Sequence, residues 1–279
     1  MNKHYRVLFL AMSCNDPFFE MSRRVVHDTW AKDILEGKFP EIGFFSYTST
    51  DKEDYIEDNC VYVREQDDIN HTYSKTIKAM SFLREQGITW DVVVRTNTST
   101  FINVENTLKL VEQYGNGMVS FSIVDWECEG VKVPLPAGWY MILPGALTEK
   151  LIDCKDRLNE DVDVHNIKDL NTFLGNRTDD MLLGVFRHVV NQQLNLNIPF
   201  YYLDRMTFVQ HYKSFINNPY IQDPRERVGI YGYNQNDDPN RIHSCIAMQV
   251  RLPGVKSMYR YIELERMYEL YEAIKKRSN

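Results

Sequence analysis

Apolar and polar residues follow two periods along the first half of the chain. Nearly continuous apolar runs, rich in β-branched and aromatic residues, recur at 5–12, 42–47, 60–63 and 91–96. Such runs suit strands buried on both faces of a parallel sheet. Between them, apolar residues recur at helical spacing. In 18–30, Phe18, Met21 and Val25 share one side, while Glu20, Arg23, Arg24, His27 and Asp28 mostly take the other. Pro17 stands at the first helical position, where its missing N–H costs nothing. In 72–85, Ile77, Met80, Phe82 and Leu83 mark a second helix, which Gly87 ends. Strands alternating with helices predict an α/β fold with a mostly parallel central sheet flanked by helices.

The second half is less regular. Asn103 is placed to cap a helix over 104–114, and Gly115-Asn116-Gly117 closes it. Strands are predicted at 118–124 and 138–144, with a Gly- and Pro-punctuated loop over 127–136 between them. A helix starts at Gly145 and runs to about Asp156. An Asp- and Asn-rich loop fills 157–172. Another helix opens at Asp179, with Thr178 as its N-cap. Strands at 200–204 and 246–252 flank a long polar, aromatic stretch over 207–245, of the kind that forms an active-site lid or acceptor loop. An amphipathic helix over 259–275 closes the chain. No repeat or linker interrupts it, so a single domain is predicted.

Composition narrows the function classes. Net charge is −7 and the pI about 5.6, which disfavours a nucleic-acid or anionic-membrane surface. Tyrosine is abundant, with 17 residues, and suits either sugar and nucleotide faces or the rim of a core. The cysteines, Cys14, Cys60, Cys128, Cys154 and Cys245, are odd in number and form no CxxC pair. This excludes a complete disulfide framework, disfavours a zinc site and points to reduced thiols. The apolar run 7–12 is too short for a signal peptide or membrane span, so a cytoplasmic protein is expected. No Gly-x-Gly-x-x-Gly, Walker or Gly-x-Ser-x-Gly motif is present, which disfavours dinucleotide enzymes, P-loop ATPases and α/β-hydrolases.

The most informative stretch is 90–103. Its apolar strand Val92-Val93-Val94 breaks into Arg95-Thr96-Asn97-Thr98-Ser99, and Thr100-Phe101-Ile102-Asn103 follows. Polar residues at the carboxyl end of a parallel strand stand where open α/β sheets bind ligands; an ordinary surface loop is the other reading. This stretch resembles the strand, acidic triplet and Thr-Phe-Val-Asn of GT-A glycosyltransferases of the fringe and β-1,3-galactosyltransferase type. Neutral Asn97, Thr98 and Ser99 stand where that family has three acids. Four further segments resemble the family in order: Arg23-Arg24 through Trp30; Tyr73 through Lys78; Gly138-Trp139-Tyr140; and Asp179-Asp180-Met181-Leu182-Leu183-Gly184.

The resemblance implies a Rossmann-type GT-A domain, with a nucleotide-sugar half over about 1–125 and an acceptor half over about 126–279. It implies an enzyme that moves galactose, N-acetylglucosamine, glucose or xylose from a UDP-sugar to a glycan hydroxyl with inversion. A non-catalytic sugar- or nucleotide-sugar-binding relative is the alternative. The unanchored form suggests a viral or microbial setting. Donor contacts are implied at Ala11, Ser13, Arg24, Thr50, Asp51, Lys78, Thr96 and the turn Asn97, Thr98 and Ser99. The base is Asp180, supported by Asp179; without the resemblance, two acids at a helix start are an ordinary cap. Trp139 and Tyr140 are either an acceptor platform or core aromatics.

In the family a divalent metal, Mn or Mg, sits on the triplet. Amide and hydroxyl oxygens replace carboxylates poorly around a hard dication, so no metal ligand is assigned, and the enzyme is expected to be metal-independent or to have an altered metal site. Cations are then expected to carry the diphosphate, from among Arg95, His243, Arg251, Lys256 and Arg260, each of which also reads as a surface charge.

Overall fold

The computed structural model describes residues 2–120, 122–128, 131–153, 179–203, 246–249 and 260–278. Its centre is an eight-stranded sheet. Strand β1 (Lys3–Met12) pairs in parallel with β2 (Ile42–Thr50) on one side and β5 (Ile88–Asn97) on the other. Beyond β2 lie β4 (Cys60–Arg64), parallel, and β3 (Tyr55–Glu57), antiparallel. Beyond β5 lie β10 (Tyr140–Pro144), antiparallel, then β7 (Met118–Ser120) and β11 (Phe200–Tyr202). The order is β11-β7-β10-β5-β1-β2-β4-β3, an α/β sheet that is mostly parallel, as the pattern predicts.

Strand alternation sorts the helices to two faces. Leu8 and Leu10 of β1 and Val93 of β5 face α3 (Thr72–Glu85), α5 (Gly145–Asp153) and α6 (Asp179–Leu194). Val7, Phe9 and Ala11, with Val92 and Val94, face α1 (Pro17–Asp28), α2 (Lys32–Leu35), α4 (Val104–Tyr114) and the closing helix α7 (Tyr261–Ser278). Local signals set the starts of two helices. Asp16 accepts from the Phe18 N–H at α1, and Asn103 from the Asn106 N–H at α4. No helix among the described residues is long and apolar enough to cross a membrane.

Two sequence expectations change. The strand expected over 118–124 divides at residue 120: β7 stays in the main sheet, while β8 (Ser122–Cys128) leaves to form a separate ladder. Its partner is β9 (Val131–Pro136), in the region expected to be a loop. Pro134 and Pro136 punctuate that region, but a two-stranded ladder has free edges where a residue without an N–H is tolerated. Strand β6 (Thr100–Ile102) likewise leaves the main sheet and pairs with β12 (Ala247–Gln249), bringing a distant segment to the start of α4.

Candidate active site at the carboxyl ends of the strands

The chain leaves β1 toward β2 on one side, whereas β5 lies on the other side of β1. The carboxyl ends of β1 and β5 therefore border a topological switch point, where open α/β sheets place ligands. Across this rim, in sheet order, stand the segments after β4, β2, β1 and β5, then the start of β10.

At the β4 and β2 end a cleft of about 500 Å³ opens between Asn15, Thr50, Asp51, Arg64, Glu65 and Asp67. Ser49 and Gln66 complete its lining. Thr50 and Asp51, expected to touch the donor, lie here. The organising group is Asp67. Its Oδ1 accepts from the Lys75 ammonium at 2.6 Å and from the Ser49 hydroxyl at 3.2 Å, and its Oδ2 accepts from the Asn15 N–H. Lys75 also donates to the carbonyl of Ser13, where β1 ends, at 3.1 Å. Its side chain is 1% exposed.

Sequence reasoning singled out Lys78 and missed Lys75. One turn along α3, Lys78 is half exposed and binds Glu65 at 3.1 Å and the Arg64 carbonyl at 2.9 Å. Burial works to raise the Glu65 carboxyl. Hydrogen bonds from the Gln66 N–H and the Ser74 hydroxyl, together with Lys78, outweigh it and hold the group below the usual carboxylate range. No local pattern marked Lys75: at helical spacing it lies well off the stripe of Ile77, Met80 and Leu83, and its burial in α3 comes from the tertiary packing.

At the switch point the turn after β5 is closed by hydrogen bonds. The Asn97 side-chain oxygen accepts from the Ser99 hydroxyl at 3.0 Å and the Thr100 hydroxyl at 2.7 Å. The Thr98 N–H bonds to the Met12 carbonyl, and the Thr98 carbonyl accepts from Ser22 on α1 at 2.8 Å. Thr98 and Ser99 are buried, whereas Asn97 is partly open. These groups do not fit a hard dication, which needs charged or at least open oxygen ligands. Among the described residues, no group of three or more His, Cys, Asp or Glu side chains could hold a metal ion.

Ala11 and Thr96 are buried partners across the β1–β5 ladder, and Ser13 is buried at its end. Arg24 points outward and pairs with Glu20 on its own helix. Three candidates are held in other surroundings than a ligand contact needs. Arg95 does not reach into the rim. Strand alternation sends it to the α3 face, wholly buried, where its Nε donates to the Tyr47 hydroxyl at 3.3 Å and its Nη2 lies 3.2 Å from the Met12 sulfur. Tyr140 takes the core alternative: it is wholly buried, its hydroxyl faces Thr107 at 3.4 Å, and burial pushes the phenol pKa up. Arg260 is also committed elsewhere, forming a buried two-pronged pair with Glu263 at 2.6 and 2.7 Å. His243, Arg251 and Lys256 lie outside the described residues.

The far side of the rim is formed by the turn before β10. The Trp139 carbonyl accepts from the Thr96 hydroxyl at 2.9 Å and the Thr100 hydroxyl at 3.3 Å. The turn is thereby fixed to the end of β5, and the Trp139 side chain is partly buried. Asp180, in the first turn of α6, rests on it. A methyl group at Gly138 would come 2.9 Å from the Asp180 Oδ2 and 3.2 Å from its Cβ. The glycine is what lets the carboxylate approach the backbone here. Asp179 begins the same helix, and its side chain lies outside the described residues.

Neither a protein-family model nor a curated protein matches the sequence. Among solved structures, one similar fold is a glycosyltransferase involved in the glycosylation of the major capsid of PBCV-1. It is 12% identical, covers 94% of this chain and 98% of that one, and has a TM-score of 0.46. Another is mouse xyloside xylosyltransferase 1 in its apo form, 8% identical over 91% of this chain and 100% of that one, with a TM-score of 0.39.

Proposed function

We propose that this chain is an inverting glycosyltransferase that takes a sugar from a UDP-sugar to a glycan hydroxyl without a metal on the turn 97–99. The observation that carries the reading is the seat of Asp180 on the Gly138 turn, tied through Trp139 to Thr96 and Thr100 at the switch point. A carboxylate and a polar cleft thus stand along one rim. From β4 to β10 the rim crosses four strand spacings, about 19 Å at the usual interstrand distance. A nucleoside, its diphosphate and a hexose laid end to end are of that order.

In this reading the cleft beside Thr50 and Asp51 takes the nucleoside, and the diphosphate crosses the ends of β1 and β5. The sugar then lies toward Gly138. The acceptor oxygen attacks the anomeric carbon as its bond to the diphosphate breaks. Asp180 accepts the acceptor proton, and the nucleoside diphosphate leaves with the bonding pair. Direct phosphate contacts are assigned to His243 and Arg251, with Arg95 contributing its buried positive charge from beneath. Trp139 supports the acceptor ring.

The test is calorimetric titration with UDP and a panel of UDP-sugars, with and without EDTA, on the wild-type chain and on Asp180→Asn. Tight binding of one UDP-sugar that survives EDTA is expected. Asp180→Asn should retain that binding and lose turnover by at least about a hundredfold, the usual scale of a general base. Near-normal turnover would remove Asp180 from the role, and activity lost to EDTA but restored by Mn²⁺ would overturn metal independence. The closed, neutral turn at Asn97 favours one second reading, a binding module without turnover, for which UDP-sugar would bind unchanged in both proteins.

A further inference from the structure

Lone pairs can be counted at Asp67. A carboxylate oxygen accepts about two hydrogen bonds. Oδ1 is filled by Lys75 and Ser49, whereas Oδ2 receives, among the described residues, only the Asn15 N–H. The side chain is 22% exposed and lines the cleft. One acceptor site on Oδ2 therefore remains, on a carboxylate whose orientation is fixed from three directions. Two of those directions come from the strand ends themselves: Asn15 follows β1 and Ser49 belongs to β2. The third is Lys75, which also grips the Ser13 carbonyl. The buried lysine thus sets the position of Asp67 relative to β1.

From this geometry we infer that Asp67 is a specificity-determining residue for the nucleoside and that Lys75 is its positioning residue. The inference rests on the nucleotide-sugar reading above. Oδ2 accepts one hydrogen bond from a donor group of the nucleoside, either the imide N–H of the base or the ribose 2′-hydroxyl. A base without an N–H at that place, or a deoxyribose, leaves the fixed lone pair unmatched in a partly buried site. Lys75 touches no ligand; it acts by holding Asp67.

The experiment is a titration cycle with three probes: UDP, 2′-deoxy-UDP and N3-methyl-UDP, on wild type and Asp67→Asn. Asp67→Asn should weaken UDP by about tenfold or more, the scale of a hydrogen bond to a charged group. For the one analogue that lacks the donor, the penalty should shrink to about twofold or less, which identifies the donor. No penalty, or an equal penalty for all three probes, overturns the inference. Lys75→Arg keeps the charge and moves the donor atoms. The same unequal weakening is expected there, with the melting temperature measured alongside; equal weakening of all probes would assign Lys75 to folding alone. A wild-type chain that binds none of the probes would overturn the proposed function itself. Wild-type binding that Asp67→Asn leaves untouched would overturn only this inference.

Discussion

His27 on α1 stands edge-on to Phe44, with ring centroids 5.3 Å apart, and its Nε2 has no hydrogen-bond partner among the described residues. Burial and then the charge of Arg23 lower its pKa below the ordinary value, while Asp28 and Asp58 oppose them. In the unfolded chain the imidazole takes up a proton near pH 6.5. The folded site resists that proton, so stability should fall as pH drops through and below about 6.5, with no effect above it. The loss in denaturation midpoint between pH 7.5 and 5.5 is expected to be smaller in His27→Gln than in wild type. Equal losses would place the sensitivity elsewhere. Single residues were unevenly legible. Asp180 was marked by the resemblance, since an acid in a first helical turn is by itself an ordinary cap. Lys75 could not, because nothing local says that a lysine among Thr76 and Ile77 finds Asp67 and the end of β1 as partners. Arg95 was placed on the right strand end and the wrong face: alternation fixes its face only once the neighbours of β5 are known.

Helix α6 meets the β8–β9 ladder through Gly184, where an added methyl would come 2.8 Å from the Pro136 ring and 3.0 Å from the Pro134 carbonyl. Neither is a flexible group that can swing away. Gly184→Ala should gain about 0.5–1 kcal/mol of helix propensity and lose about 1–3 kcal/mol to overpacking. A net fall in stability is expected in urea denaturation. Turnover should fall as well, since the same helix carries Asp180. A variant as stable and active as wild type would show that α6 can shift freely on β9. Element boundaries in the parallel core were readable because each strand there is buried on both faces and each helix shows an apolar stripe. The β8–β9 ladder was not, since its prolines and glycine are as compatible with a loop, and pairing alone distinguishes the two.

For the molecule as a whole, a ligand that binds only the folded state stabilises it by about 2.7 kcal/mol at a hundredfold excess over Kd. On the proposed reading, UDP at that concentration should raise the melting temperature by roughly 4–5 °C for a chain of this size. The rise should be the same in EDTA. A rise that requires Mn²⁺ would contradict the metal-independent reading. The sequence by itself determined the α/β class, the parallel core and the polar break after Val94, since burial on both faces and helical spacing are local patterns. It also determined that the turn at Asn97 is neutral, which is composition alone. The tertiary structure decided which polar residues meet. Crossing from β2 past β1 to β5 creates the switch point, and at the β2 and β4 end of the same rim Asp67, Ser49 and Lys75 converge. The turn at Gly138, brought beside Thr96 by an antiparallel strand, seats Asp180 on the same rim. Such contacts depend on strand order and face, which long-range pairing sets and no local window of sequence contains.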